Sequence, residues 1–155
     1  MGAILLMRHG EAVEESLAIR ASQRHLTLAG RHQSAAVGRL LLEQAIAIDG
    51  IVSSPLMRAT QTAELVAAAI GFSGVVEAMP ALAPEGDAHA AANQLAAHNG
   101  CVLAVGHEPA LSAIGALLCR GSPFHPLHKA QVALIQEGRV VWSLGPGDPA
   151  PVAAG

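Results

Sequence analysis

The 155-residue chain is 52% hydrophobic and only 14% charged, which excludes extended disorder and provides apolar surface enough for one domain core. A net charge of −3, with two Phe, one Trp and no Tyr, leaves neither the basic field nor the stacking platforms that nucleic-acid binding requires. The N-terminal apolar run is too short for a membrane span or a signal segment, and Cys101 and Cys119 have no metal-like or redox-like spacing, so the expectation is a reduced, cytoplasmic protein with no membrane partner.

Ala3 to Met7 is a continuous apolar run, the pattern of a parallel strand buried on both faces, and it breaks off abruptly at Arg8-His9-Gly10-Glu11. Glu11 to Arg24 has no sustained period and reads as a surface loop with room for a helical turn. Thr27 is suited to cap a helix whose apolar stripe is Ala36, Val37, Leu40, Leu41 and Ala45, leaving Arg31, Ser34 and Glu43 to solvent. A short strand follows at Ile51-Val52. Ser54-Pro55 then reads as a helix start, with Ser as the cap and Pro at the first helical position. Ala59, Ala63, Val66, Ala67 and Ile70 continue that helix, and Gly71 ends it. Arg58 therefore falls in the first turn, where its guanidinium and the free N–H groups both favour an anion.

Val75 to Met79 is expected to be a third strand, closed by Pro80, and the loop from Ala81 to Asp87 carries two acids. Ala88 to His98 is helical, and Asn99-Gly100 ends it. Cys101 to Val105 is a second wholly apolar run, and it too opens into a histidine, in Gly106-His107-Glu108-Pro109. An apolar helix from Ala110 to Cys119 leads into a Pro- and His-containing loop. Gln131 to Gln136 and Arg139 to Leu144, joined by Glu137-Gly138, form a closing hairpin. One domain over residues 1–145 is expected, with 146–155 a flexible tail rich in Pro, Gly and Ala.

Strands alternating with helices predict a mostly parallel sheet with an antiparallel edge, covered on both faces in a three-layer α/β/α domain. Ligands of such sheets bind beyond the carboxyl ends of the strands, so Arg8, His9, Arg58 and His107 converge on one edge. Two guanidiniums and two imidazoles make a positive pocket suited to a phosphoryl group. A neutral imidazole there can attack phosphorus, giving a phosphohistidine that water later cleaves, while the arginines stabilise the equatorial oxygens. The guanidinium charge makes a metal or other cofactor unnecessary, and neither a P-loop nor a His-Glu-x-x-His pattern is present.

Taken in order, Arg8-His9-Gly10-Glu11, Arg24-x-Leu26-Thr27-x-x-Gly30, Ser53-Ser54-Pro55-x-x-Arg58-Ala59-x-Gln61-Thr62, Leu82-x-Pro84-x-Gly86-Asp87 and Gly106-His107-x-Pro109 resemble the histidine phosphatase superfamily. The likeness is to its short SixA-type phosphohistidine phosphatases, and it implies the phosphoglycerate mutase-like fold. It also implies His9 as the phosphorylated nucleophile and Arg8, Arg58 and His107 as the phosphate pocket. Arg24 would be a further phosphate contact, and the Gly10 carbonyl would orient the nucleophile's second ring nitrogen. Large insertions between the Arg58 helix and the His107 strand are missing, so an open pocket that admits a phosphorylated side chain of another protein is expected. Phosphohistidine on a signalling or phosphotransfer protein is the expected substrate; a broad small-molecule phosphomonoesterase and a non-catalytic phosphoresidue-binding module are the alternatives. For a general acid the choice is Glu85, with Asp87, Glu108 and Glu11 as the other candidates; Glu108 is also placed beside the substrate.

Overall fold

The computed structural model describes residues 2–154. Four parallel strands form one side of its sheet: β1 (Ala3–Arg8), β2 (Gly50–Ser53), β3 (Glu77–Ala78) and β4 (Cys101–Gly106), hydrogen-bonded in the order β3-β2-β4-β1. Antiparallel strands β5 (Val132–Gln136), β6 (Arg139–Leu144) and β7 (Val152–Ala153) extend the sheet from β1 to seven strands. The antiparallel part is thus three strands wide, the expected closing hairpin plus one further strand. The segment expected as a flexible tail supplies β7, in which Val152 and Ala153 pair with Ser143 and Trp142. Glu137 and Gly138 both take positive φ in the β5–β6 turn, the conformation that matches the strand twist.

Alternation along the strands sorts the core onto two faces. Leu5, Met7, Leu103, Val105, Val132 and Leu134 pack with Val37 and Leu41 of α1 (Leu28–Glu43) and Ala59, Ala63 and Val66 of α2 (Met57–Ile70). Ile4, Leu6, Val102, Ala104 and Ile135 pack on the other face with Ala91 and Leu95 of α3 (Ala88–Ala96) and Leu111 and Ile114 of α4 (Ala110–Cys119). Both Cys101 and Cys119 are buried free thiols, in keeping with their reading as small hydrophobes.

Helix α1 departs from the expected stripe. Its buried face is Gly30, Ser34, Val37, Gly38 and Leu41, and Ala45 lies beyond its end with positive φ. Ser34, expected in solvent, is fully buried and donates its hydroxyl to the Gly30 carbonyl at 2.8 Å. The cause is close helix packing: a Cβ on Gly38 would stand 2.6 Å from that of Ala69, so small residues line this seam. Thr27 caps α1 as its sequence implies, accepting the Gly30 N–H at 3.0 Å. Strand β3 shrinks from the expected five residues to two exposed ones, because it is an edge strand with only β2 to pair. Helix α3 ends two residues early, at Ala96.

Candidate active site

Three adjacent parallel strands end side by side and each hands over a polar residue just past its last apolar position. Arg8 is in register with Gly106, and Ser53 with Val105. The ladder continues beyond the strands, as His9 N–H donates to the Gly106 carbonyl at 3.1 Å and Ser54 N–H to the Val105 carbonyl at 2.9 Å. His9, His107 and Ser54 are consequently neighbours although up to 98 positions separate them in the chain. The imidazole centroids of His9 and His107 are 5.2 Å apart, with the ring planes tilted by 59°.

Arg58 is not in a helix opened by Ser54-Pro55. Leu56 is the N-cap of α2 and offers no side-chain bond, so Arg58 is the second helical residue, buried, with one guanidinium N–H on the Ala21 carbonyl at 3.0 Å. Ser54 is freed for the site: its hydroxyl lies 2.7 Å from His107 Nε2. Proline already ends the preceding strand, and the helix gains its first turn from Met57 without a polar cap. Arg8 donates through Nη1 to the Leu127 carbonyl at 3.2 Å, and Arg24 through Nε to the Val13 carbonyl at 2.7 Å. The Nε atoms of Arg8 and Arg58 and Nδ1 of His107 are buried without a protein partner. Buried nitrogens left without a protein partner are groups that a bound oxyanion would satisfy.

The nucleophile candidate is set by its neighbour. His9 Nδ1 lies 2.7 Å from the Gly10 carbonyl, which can only accept, so Nδ1 carries the proton and Nε2 keeps its lone pair. Gly10 is held in turn by Thr62, whose hydroxyl accepts the Gly10 N–H at 3.1 Å and donates to the Arg58 carbonyl at 2.9 Å. Thr62 is four residues after Arg58 on the same face of α2, a spacing that marks it from sequence as a neighbour of the site. Ser54 carries a comparable signal, as a polar residue directly after a buried strand.

Burial, above all, pushes both imidazoles toward the neutral form: His9 falls to about 4, opposed by its bond to Gly10 and aided by Arg58, Arg8 and Arg24. His107 falls to about 3, again mainly by burial, with His9 and the same arginines adding to it. Burial, then Arg24, also lowers Arg58, with Glu15 acting the other way. Because a lowered pKa extends the neutral form to more acid pH, kcat/KM corrected for substrate ionisation should stay level from neutrality to about pH 5 and fall as His9 protonates near 4. An acid limb centred on the ordinary histidine value of 6.5, unmoved by a substrate of different phosphate pKa, would contradict this. Stability carries the same sign: unfolded histidines bind protons that the folded ones refuse, so stability declines as pH falls from 6.5 toward 4.

The four carboxylates considered from sequence divide clearly. Glu108 commits both oxygens to backbone N–H groups, Ser112 at 2.9 Å and Leu127 at 2.6 Å. Since Arg8 holds the Leu127 carbonyl, Glu108 and Arg8 grip Leu127 by its N–H and its carbonyl, and both Glu108 oxygens are committed to backbone where a substrate contact was expected. Asp87 caps α3, accepting from His89 and Ala90 N–H groups, and Glu11 accepts the Thr27 hydroxyl at 2.8 Å. Glu85 is exposed in the loop after the 3-10 turn Pro80–Leu82. Among the described residues no three His, Cys, Asp or Glu side chains cluster as metal ligands would.

An α/β domain that gathers guanidiniums and neutral imidazoles at the carboxyl edge of its parallel strands is a phosphoryl-group enzyme in its construction. The comparisons agree. The sequence model of the histidine phosphatase superfamily (branch 1) matches residues 4–83. The phosphohistidine phosphatase SixA of Escherichia coli (strain K12) is 30% identical over 152 residues, covering 92% of this chain and 93% of that protein. A structure of the protein histidine phosphatase SixA complexed with tungstate superposes with a TM-score of 0.84 at 28% identity, covering 93% of this chain and 97% of the other. A mycobacterial glucosyl-3-phosphoglycerate phosphatase shares the fold at a TM-score of 0.66 and 17% identity, covering 88% of this chain and 93% of its own. The chain belongs to the histidine phosphatase superfamily, and within it is a phosphatase of the SixA type.

Proposed function

We propose that this phosphatase acts through a phosphohistidine formed on His9, and that its substrate is phosphohistidine on a signalling or phosphotransfer protein. The observation that carries the reading is the locked His9 tautomer. Its Nδ1–H on the Gly10 carbonyl leaves the Nε2 lone pair free, and burial keeps the ring unprotonated. Nε2 attacks phosphorus as the bond to the substrate's imidazole nitrogen breaks. Water then attacks the phosphohistidine, the P–N bond to His9 breaks, and inorganic phosphate leaves with the ring restored. Arg8, Arg58 and Arg24 supply the positive charge that the equatorial oxygens need in both steps, and His107 faces the same group.

The protein substrate is supported by the short connection from α2 to β4, which holds only β3, a 3-10 turn and the nine-residue α3. Nothing in that stretch is long enough to fold over the pocket as a lid domain, so the approach is open to a side chain on another protein. SixA, at 30% identity, is named for the same activity. An imidazole leaves phosphorus with less need of a proton than an alkoxide does. That fits a site in which Glu11, Asp87 and Glu108 are tied into backbone and hydroxyl contacts, and Glu85 is the acid left for a leaving group that needs one. The test is a panel comparing a phosphohistidine-bearing protein with sugar and nucleotide monophosphates. Higher kcat/KM on the protein is expected, whereas brisk turnover of a sugar phosphate with no release from the protein would overturn the assignment.

A further inference from the structure

We infer that Ser54 is a positioning residue that holds His107 as the Nδ1–H tautomer, so that His107 meets the phosphoryl group as a hydrogen-bond donor. The inference rests on reading this site as the phosphatase centre. It follows from counting donors and acceptors around one hydroxyl. Ser54 is fully buried, so water does not complete its hydrogen bonds. Its Oγ already accepts the Leu56 N–H at 3.2 Å. The hydroxyl proton needs an acceptor, and among the described residues the group within reach is His107 Nε2 at 2.7 Å. Were Nε2 protonated instead, Oγ would accept two N–H groups and its own proton would be stranded in the interior, an arrangement that costs as much as a lost buried hydrogen bond. Ser54 therefore donates, Nε2 accepts, and the neutral ring carries its proton on Nδ1.

That nitrogen is the one buried without a protein partner. His107 is itself 3% exposed, its ring is 5.2 Å from that of His9, and Arg8, Arg24 and Arg58 surround the pair. The charged side chains acting on His107 are all cationic and its Nδ1 has no protein acceptor, so an Nδ1–H there is open to an oxygen of the bound anion. The two histidines thus use the same tautomer for opposite purposes. In His9 the Nδ1–H is anchored on protein and Nε2 reacts; in His107 Nε2 is anchored and Nδ1–H binds.

Nitrogen-detected NMR of ring-labelled protein tests this without any turnover. The wild type should show His107 protonated at Nδ1 and unprotonated at Nε2, with the Nδ1 resonance shifting on addition of inorganic phosphate. Ser54→Ala should mix the two tautomers and lower kcat/KM roughly 10- to 100-fold on a generic aryl phosphate, while Ser54→Thr, which keeps the hydroxyl, recovers most of the loss. Should wild-type His107 carry its proton on Nε2, or should Ser54→Ala fold and keep full activity with the ring unchanged, the inference fails. The wild-type spectrum decides the matter even if the alanine variant does not fold. Failure of the phosphohistidine-protein substrate would leave these spectra and the aryl phosphate rates untouched, so the two readings fall separately.

Discussion

His9→Ala is expected to lower kcat/KM by about 10⁴-fold or more, the scale seen when a nucleophile is removed from a preorganised site. The wild type, quenched during turnover of a radiolabelled substrate, should retain acid-labile, base-stable label on the protein, and His9→Ala should retain none. The variant should still fold, because the side chain's one hydrogen bond to protein is to the carbonyl of the adjacent residue. It should also still bind phosphate, because Arg8, Arg58 and His107 reach the site from β1, α2 and the end of β4 independently of that ring. Loss of turnover with binding kept separates a nucleophile from a ligand-binding residue. A variant that keeps a tenth of the wild-type rate, or a wild type that never carries label, would remove His9 from the covalent role.

Gly30→Ala should be the most damaging substitution outside the pocket. A Cβ there would overlap the Glu11 carbonyl oxygen and stand 2.9 Å from both the carbonyl carbon and the amide nitrogen of Glu11. All three are backbone atoms, so no rotamer change relieves the contact. The first turn of α1 must lift away from residues 10–11, which strains the Thr27 N–H bond to the Glu11 carbonyl and the Thr27 hydroxyl bond to its carboxylate. We expect a loss of about 3 kcal/mol, at the upper end for overpacking, and a melting temperature lower by roughly 10 °C. Activity should fall further than the folded fraction does. Gly10 meets the same turn from the other side, where its own Cβ would be 2.7 Å from the Gly30 carbonyl oxygen, and its carbonyl orients His9. Gly147→Ala is the control: a Cβ there meets nothing, and its stability should change by about 0.5 kcal/mol at most. Equal melting temperatures for the two variants would refute the packing argument.

Much of this molecule is legible before any coordinates are known. Two uninterrupted apolar runs, each opening into a histidine, identify the central strands β1 and β4, because strands buried on both faces need apolar side chains at every position. α4 and both strands of the closing hairpin fall where composition and period put them, β5 beginning one residue late. The structure departs from the sequence pattern where one residue type serves two ends. Ser54 has the sequence of a helix cap and the position of a strand terminus, and tertiary contact with His107 settles which applies. Ser34 is polar by type yet buried, because the seam between α1 and α2 is too narrow for anything larger than a small side chain. Glu108 sits beside a pocket histidine in sequence, but a glutamate beside a loop's free N–H groups is drawn to them first.

The order and spacing of residue types alone determined the parallel core, its carboxyl edge and the gathering of Arg8, His9, Arg58 and His107 there, since periodicity and strand polarity are local properties that the chain carries in itself. Only the folded structure decided which nitrogen of each imidazole is free, which carboxylates are already engaged and how far the sheet continues through β7. The His107 partner lies 53 positions away and the His9 partner is the next residue; in both cases the hydrogen bond is chosen by distance and geometry, neither of which is written along the chain.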